Sequence, residues 1–462
     1  MILYSPHYVI LLKVQSVVKC VVDAGVYTCA RCGSHGFEND ACCDGGVLVD
    51  MSSLHSLSVR KSTKIVQFES GYTHGQLYYM LSKGSKLVVP GGTESYVGTA
   101  GLFLGCGRGL LTSLYGLACD SVRAVEYVDE KGELRNASSE ENKDMYWLAK
   151  GGGGAFPGIV TSFTVQAYNE PDEVVVTSCR WSGKEGKEFE VIDAWSRVQS
   201  KFTKRRRKMF SHVKITAEHT ELAVYCFGCH GEEMEFYEKE TRELMMHVEP
   251  MWKREGHLNG TKCSETRQSW VNFHRSSVLV RNEGMTAMVR DTVKVHSTYT
   301  GAVVLDTWEL DDSETRKMIH WLKQAEDVLH SNRLSHITFF LYPLGGEAVQ
   351  SVAPDATAFP WRSSKSVLHY KLLWKPKNDE KEELMKSMND VLQGLLDKFQ
   401  SARTFYNYLG KHVEGERERV EWYRGHFGNN LERVQRVREQ NDPTGVFGIP
   451  SRLPPRLTKN RT

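Results

Sequence analysis

The chain has 462 residues, with 59 lysines and arginines against 57 aspartates and glutamates, a net charge of +2, and a composition 40% hydrophobic and 25% charged. That length favours two domains, or one domain with a large insertion. The near-neutral balance excludes a protein held on nucleic acid or a membrane surface by a positive field, and the lack of any uninterrupted apolar run of about 18 residues argues against a transmembrane helix.

The opening MILYSPHYVILLKVQSVVKCVV is apolar but broken by Pro6, His7, Lys13, Gln15 and Lys19. It lacks the basic-then-apolar order of a secretory signal. Helices are expected over Val14 to Asp23 and His74 to Lys83, and strands at GVYTCA, VLVDMS, KIVQFES, KLVVPGG, VRAVEYVDE and GIVTSFTVQAY. Many short elements of both kinds make residues 1–170 an α+β unit.

From 171 to about 410 the elements lengthen. Strands SCRWSGKE, HVKITAEH, ELAVYCFG and ITFFLYPL alternate with helices ETRELMMHVEP and SETRKMIHWLKQAEDVLH, whose apolar stripes suit an antiparallel sheet covered by helices. A charged helix from Asn378 to Gln400 follows, then RTFYNYLG. Residues 411–450 hold one more helix, ERERVEWYRGHFGNNLERVQRVREQ, ended by Asp442-Pro443, and 451–462 is a tail. The basic run Lys204 to Lys208 reads as a solvated turn.

Eleven cysteines, an odd number, spell out no complete disulfide framework, so reduced thiols are the default expectation. Cys226-Phe-Gly-Cys229-His230 has the spacing of a haem attachment or half a zinc site. It lacks a second ligand pair, so these cysteines are expected to be structural and no metal is expected.

Glycine density is the chemical clue. In Arg31-Cys32-Gly33-Ser34-His35-Gly36, two glycines flank a histidine just after a strand. Such a turn lets backbone N–H groups approach a pyrophosphate. A second cluster runs from Pro90 to Val122, and a third, Lys150 to Val160, precedes a strand. Three clusters in one unit point to a large planar or phosphorylated ligand lying against the backbone.

The order RCGSHG, DMSSL, PGGTESYVGTAGLFLGCGRGLLTSLYGLACDSV and DMYWLAKGGGGAFPGIVTSF resembles the FAD domain of the vanillyl-alcohol oxidase superfamily, the PCMH type. Within it the chain is most similar to the berberine-bridge-enzyme-like and carbohydrate oxidases. Their substrate-domain stretches are matched in order by Pro343-Leu-Gly-Gly346, Thr357 to Arg362, Tyr370 to Trp374, Phe405 to Tyr408, Phe427 to Arg433 and Asp442 to Phe447. The resemblance runs from about residue 14 to 450. It implies a two-part FAD domain in 1–170, a substrate domain in 171–410, and a segment 411–450 returning to the FAD domain.

The resemblance implies FAD bound by Arg31, Gly33, Ser34, His35, Gly36, Val97, Gly98, Gly101, Leu102, Gly105, Gly109, Gly158, Ile159, Val160 and Asn430. His35 occupies the position that bonds to the flavin 8α carbon. Many members add a second link through a cysteine, which is Glu94 here, so none is expected. Ser34 and Cys106 stand where the family has glycine, Lys150 where it has arginine, and Gly36 where serine is common. Family members also carry another strand and helix before Val14.

For catalysis, Tyr408 matches the tyrosine that resembles the base of the carbohydrate oxidases, and a protonated His369 would stabilise its phenolate. The implied reaction is hydride removal from an alcohol or sugar carbon, with O2 reduced to H2O2. The partners expected are therefore a small hydroxyl substrate and O2. Two alternatives stay open: a dehydrogenase with another acceptor, or an inactive binding protein of the same fold.

Overall fold

The computed structural model describes residues 6–36, 43–205, 208–249, 262–274, 297–330, 335–374, 379–399, 403–405, 407, 416–450 and 453–454. Two antiparallel sheets organise them. The first has five strands in the order Leu57–Arg60, Ile65–Glu69, Ile159–Gln166, Val122–Val128, Leu134–Ser138. Ile159–Gln166 lies at its centre and is buried along most of its length. An uninterrupted IVTSFTV run suits a strand covered on both faces.

The second sheet has seven strands, in the order Lys262–Gln268, Val174–Ser182, His219–Phe227, Met209–Ile215, Ser335–Pro343, Ser366–Trp374, Ser297–Leu305. Alternation along its strands divides its side chains between two cores. Val213, Val224 and Leu341 pack with Trp195, Tyr237, Met318 and Leu392 of the covering helices. Phe210, Tyr225 and Tyr342 point the other way and join Phe68, Phe103 and Phe163 of the first unit. The two units thus share one core, and their junction is where a ligand can touch both.

A small parallel pair, Thr28–Arg31 with Val47–Asp50, carries the first glycine turn. Residues 446–448 add to its other edge: the Thr28 N–H donates to the Val446 carbonyl at 2.7 Å, and the Gly448 N–H to the Thr28 carbonyl at 2.8 Å. The helix Pro6–Ala24 covers this pair through Val14 and Val18, which pack with Val49, Leu54, Ile159 and Phe447.

Several expectations change. The single helix expected through residues 416–440 is two, Glu416–Phe427 and Leu431–Asn441, broken at Gly428, whose φ is +50°. A Cβ there would sit 2.8 Å from the Trp361 ring, so packing as well as backbone angle calls for glycine. The reduced-thiol expectation is overturned: Cys29–Cys43, Cys106–Cys119, Cys179–Cys263 and Cys226–Cys229 are paired as disulfides. Pairing depends on which backbones approach, which cysteine counting does not reveal. Of the basic run, Arg206 and Arg207 lie outside the described residues, while Lys208 pairs with Glu233 at 2.8 Å. Among the described residues, no helix is long and apolar enough to cross a membrane.

Candidate cofactor and active site

All three glycine clusters meet around one cavity of about 360 Å3. Cys32 to Gly36 form one wall, Gly92 to Leu104 a second, and Gly153 to Val160 a third; Phe447 to Ile449 and Leu453 close it from the C-terminal segment. The approach is backbone to backbone. A Cβ on Gly98 would lie 2.6 Å from the Cys32 sulfur, and one on Gly105 would strike the Asn407 side chain. The helix His74–Ser85 buttresses the second wall. Thr73 and Gln76 cap it reciprocally, and its fully buried His74 fills the space beside Gly91. With no Cβ in the way, such turns fit a pyrophosphate and a flat ring system.

Of the residues expected to bind cofactor, Gly33, Ser34, His35, Gly36, Val97, Gly98, Gly101, Leu102, Gly158, Ile159 and Val160 lie on the wall. Four do not. Arg31 turns outward to an ion pair with Asp50 at 2.6 Å. Gly105 packs behind the wall against Asn407, and Gly109 against the Gly91 carbonyl. The Asn430 amide donates to the carbonyls of Pro354 at 2.9 Å and Thr357 at 3.1 Å, pinning a loop instead of reaching the cavity. Of the two residues expected to be catalytic, His369 is not on the wall either. Tyr408 lies outside the described residues; its neighbour Asn407 is on the wall, donating to the Leu102 carbonyl at 3.4 Å.

Two positions where the resemblance implies glycine keep a glycine-like backbone. Ser34 has φ +51° and Cys106 +58°. The left-handed conformation is inherited though the glycines are not, and Cys106 is tied down by its disulfide to Cys119. The third glycine turn is fastened from behind by Arg438, which donates to the Ala155 carbonyl at 3.1 Å and pairs with Asp442 at 2.7 Å. Asp442 in turn accepts from the Val446 N–H at 2.8 Å.

Electrostatics distinguish the wall residues. The His35 ring stacks on Tyr96, centroids 5.1 Å apart, and burial, then Lys371, hold its pKa below the usual histidine value. The Cys32 thiol donates to the Tyr72 carbonyl, and burial pushes its pKa up to about 11, so it stays protonated. His369 departs from the protonated state expected of it. Burial, then the positive Lys371 and Arg108, depress its pKa well below 6.5. It is a neutral link between the Tyr342 hydroxyl, 2.9 Å from Nδ1, and Thr300 Oγ1, 2.7 Å from Nε2.

Sequence reasoning missed Arg108, Lys371 and the 447–449 segment as wall residues, and treated Glu94 only as a missing cysteine. Arg108 carried a signal, a lone cation between glycines in an otherwise apolar stretch. Lys371 did not, because alternation along a strand does not say which neighbour it faces.

An FAD binding domain family model matches residues 12–138. The uncharacterised FAD-linked oxidoreductase YgaK of Bacillus subtilis is 27% identical over 441 residues, 92% of this chain and 85% of that protein. Berberine bridge enzyme-like 18 of Arabidopsis thaliana is 26% identical over 96% of this chain and 81% of its own. Along most of its length the chain is similar to the berberine-bridge-enzyme-like proteins, which carry a PCMH-type FAD domain. A solved structure of the same fold, the carbohydrate oxidase from Microdochium nivale in complex with a substrate analogue, superposes with a TM-score of 0.78 at 20% identity, covering 96% of this chain and 90% of that one. The protein is an FAD-linked oxidoreductase with the expected α+β class: a mixed FAD domain and an antiparallel sheet covered by helices.

Proposed function

We propose that this protein is an oxidase holding FAD through a covalent bond to His35, and that it removes hydride from the hydroxyl-bearing carbon of an alcohol or sugar, reducing O2 to H2O2. One observation carries the reading: His35 stands on the wall of the cavity where the three glycine turns meet, stacked on Tyr96 and kept neutral by burial and Lys371. A neutral imidazole has the lone pair that a covalent attachment needs.

Bound in the cavity, FAD would supply the hydride acceptor. The residues supply the rest. Backbone N–H groups of the turns at 33–36 and 98–101 would hold the pyrophosphate. Gly158, Ile159 and Val160 would flank the ring system, Val97 and Leu102 would exclude water, and residues 171–410 would shape the substrate side. Tyr408 would take the hydroxyl proton on its phenolic oxygen. His369, being neutral and hydrogen-bonded to Tyr342 and Thr300, would not stabilise a phenolate by charge. The carbohydrate oxidase among the structural relatives supports a sugar or related hydroxyl compound as substrate.

The test is spectral first. Protein purified with a flavin band should keep its colour in an acid precipitate, and His35→Ala should release it. Oxygen uptake with a panel of sugars and sugar acids then checks the acceptor. Turnover seen only with an artificial dye would assign a dehydrogenase, and absence of flavin from the full chain would overturn the reading.

A further inference from the structure

We propose that Arg108 recognises a carboxylate on the substrate, so that the hydroxyl compound taken by this cavity is an acid of the hydroxy-acid or uronic-acid class and not a neutral sugar. The inference rests on the proposed function for the site and sharpens its substrate class.

Arg108 is only 7% exposed, yet it lies on the cavity wall. Its Nε and Nη1 atoms are buried without a hydrogen-bond partner, and among the described residues no carboxylate forms an ion pair with it. A buried guanidinium is tolerated when an anion or good acceptors meet its N–H groups, and is costly otherwise. What it has instead is aromatic cover. The guanidinium carbon stands 3.3 Å from the centroid of the Tyr342 ring and 5.7 Å from that of Phe210. Cation–π contact offsets part of the desolvation but satisfies none of the in-plane donors.

The stacking partner is itself held in place. Thr300 donates its hydroxyl proton to the Tyr370 carbonyl at 2.8 Å, so it accepts from His369 Nε2–H. His369 Nδ1 is then the acceptor for the Tyr342 hydroxyl. This relay fixes the Tyr342 ring, the ring covers one face of the guanidinium, and the edge that carries its N–H donors is left for a planar acceptor. A carboxylate matches that fork in shape and charge.

Charge on the wall favours the same ligand. Glu94 is the one carboxylate among the described wall residues, and it lies 3.9 Å from Lys371, which matches it. The charge of Arg108 is left uncompensated. Arg108 also packs on rings of the seven-stranded sheet, the side that the proposed function gives to the substrate.

The experiment uses flavin-loaded protein and the pair D-glucuronate and D-glucose, with binding read by calorimetry and by perturbation of the flavin band, so that no turnover is needed. The wild type is expected to bind glucuronate at least about 10-fold more tightly than glucose. Arg108→Met should weaken glucuronate by about 10- to 100-fold, the worth of a charged hydrogen-bonded pair, and leave glucose unchanged; Arg108→Lys should keep most of the preference. Equal binding of acid and sugar by the wild type overturns the proposal, whatever the variants do. So does Arg108→Met that is purified without flavin while Arg108→Lys retains it, because the guanidinium then serves the cofactor. Oxidation of neutral sugars with no acid preference would leave the proposed function standing and remove this inference. Arg108-dependent binding of glucuronate without any oxidation would do the reverse.

Discussion

Gly33 and Gly98 face each other so closely that a Cβ built on Gly33 would lie 2.2 Å from the Gly98 backbone nitrogen. The first and second glycine turns are therefore locked backbone to backbone at the mouth of the cofactor cavity. The obstruction is main chain, and no rotamer change relieves it. Gly33→Ala and Gly98→Ala should each lose flavin from the purified protein and destabilise it by at least about 1–3 kcal/mol, the cost of overpacking. Flavin content per chain and urea unfolding check this.

Ser34, one residue further on, has the opposite problem. Its φ of +51° is the backbone of a glycine carried by a residue with a side chain. Ser34→Gly removes that left-handed penalty, about 1–2 kcal/mol, against a loss of about 1 kcal/mol through the freer unfolded chain. The expected result is stability equal to or slightly above the wild type, with flavin retained. A fall in melting temperature would mean that the serine side chain holds the turn.

The Arg438 and Asp442 pair ties the C-terminal segment to the third glycine turn. Removing the cation leaves a buried carboxylate, at a cost of about 3–5 kcal/mol. Arg438→Met should therefore lower unfolding stability by that order and weaken flavin retention, since 446–448 and Ala155 lose a common anchor. Chemical denaturation monitored by flavin and by tryptophan fluorescence reads both.

Acid stability follows from buried histidines. Burial lowers His74 and His274 to about 3 and His212 to about 4, from 6.5. Their folded pKa values are depressed, so the unfolded chain takes up protons first. Stability is full above about pH 6.5 and is lost as pH falls toward 4, at up to about 1.4 kcal/mol per pH unit for each histidine. His274→Phe should flatten the fall by about one proton. Its Nε2 has no hydrogen-bond partner to lose, and its ring already packs on Trp270 and Tyr78. Melting temperature against pH for both proteins checks the slope.

The disulfides are open to direct measurement. Reduction of the four pairs among the described residues should raise the intact mass by two hydrogens per bond and lower the melting temperature. The Cys179–Cys263 pair, which joins the strands Val174–Ser182 and Lys262–Gln268 across a sequence separation of 84, closes the longest loop. On the chain-entropy account Cys179→Ser should cost more than Cys226→Ser, whose loop is only three residues.

Elements with a strong local signal were legible from the residues. The apolar run of 159–165, the strand signal at 212–215 and the glycines at 33, 98 and 158 each have a cause within a few positions. The break at Gly428 was not legible, because helical spacing continues through it and only the contact with Trp361 reveals the turn. Asn430 was misplaced for a related reason. Its amide is satisfied by carbonyls more than 70 residues away, and no local pattern announces such partners.

By itself the sequence determined the α+β class, the family resemblance and the glycine turns around His35, because backbone freedom, strand alternation and motif order are written in neighbouring residues. Only the tertiary structure decided that three glycine clusters share one cavity, that eight cysteines pair, that His369 is neutral, and that Arg108 and Lys371 face the same space. These depend on burial and on contacts between distant segments, and the energy of a charge is set by what the folded chain packs around it.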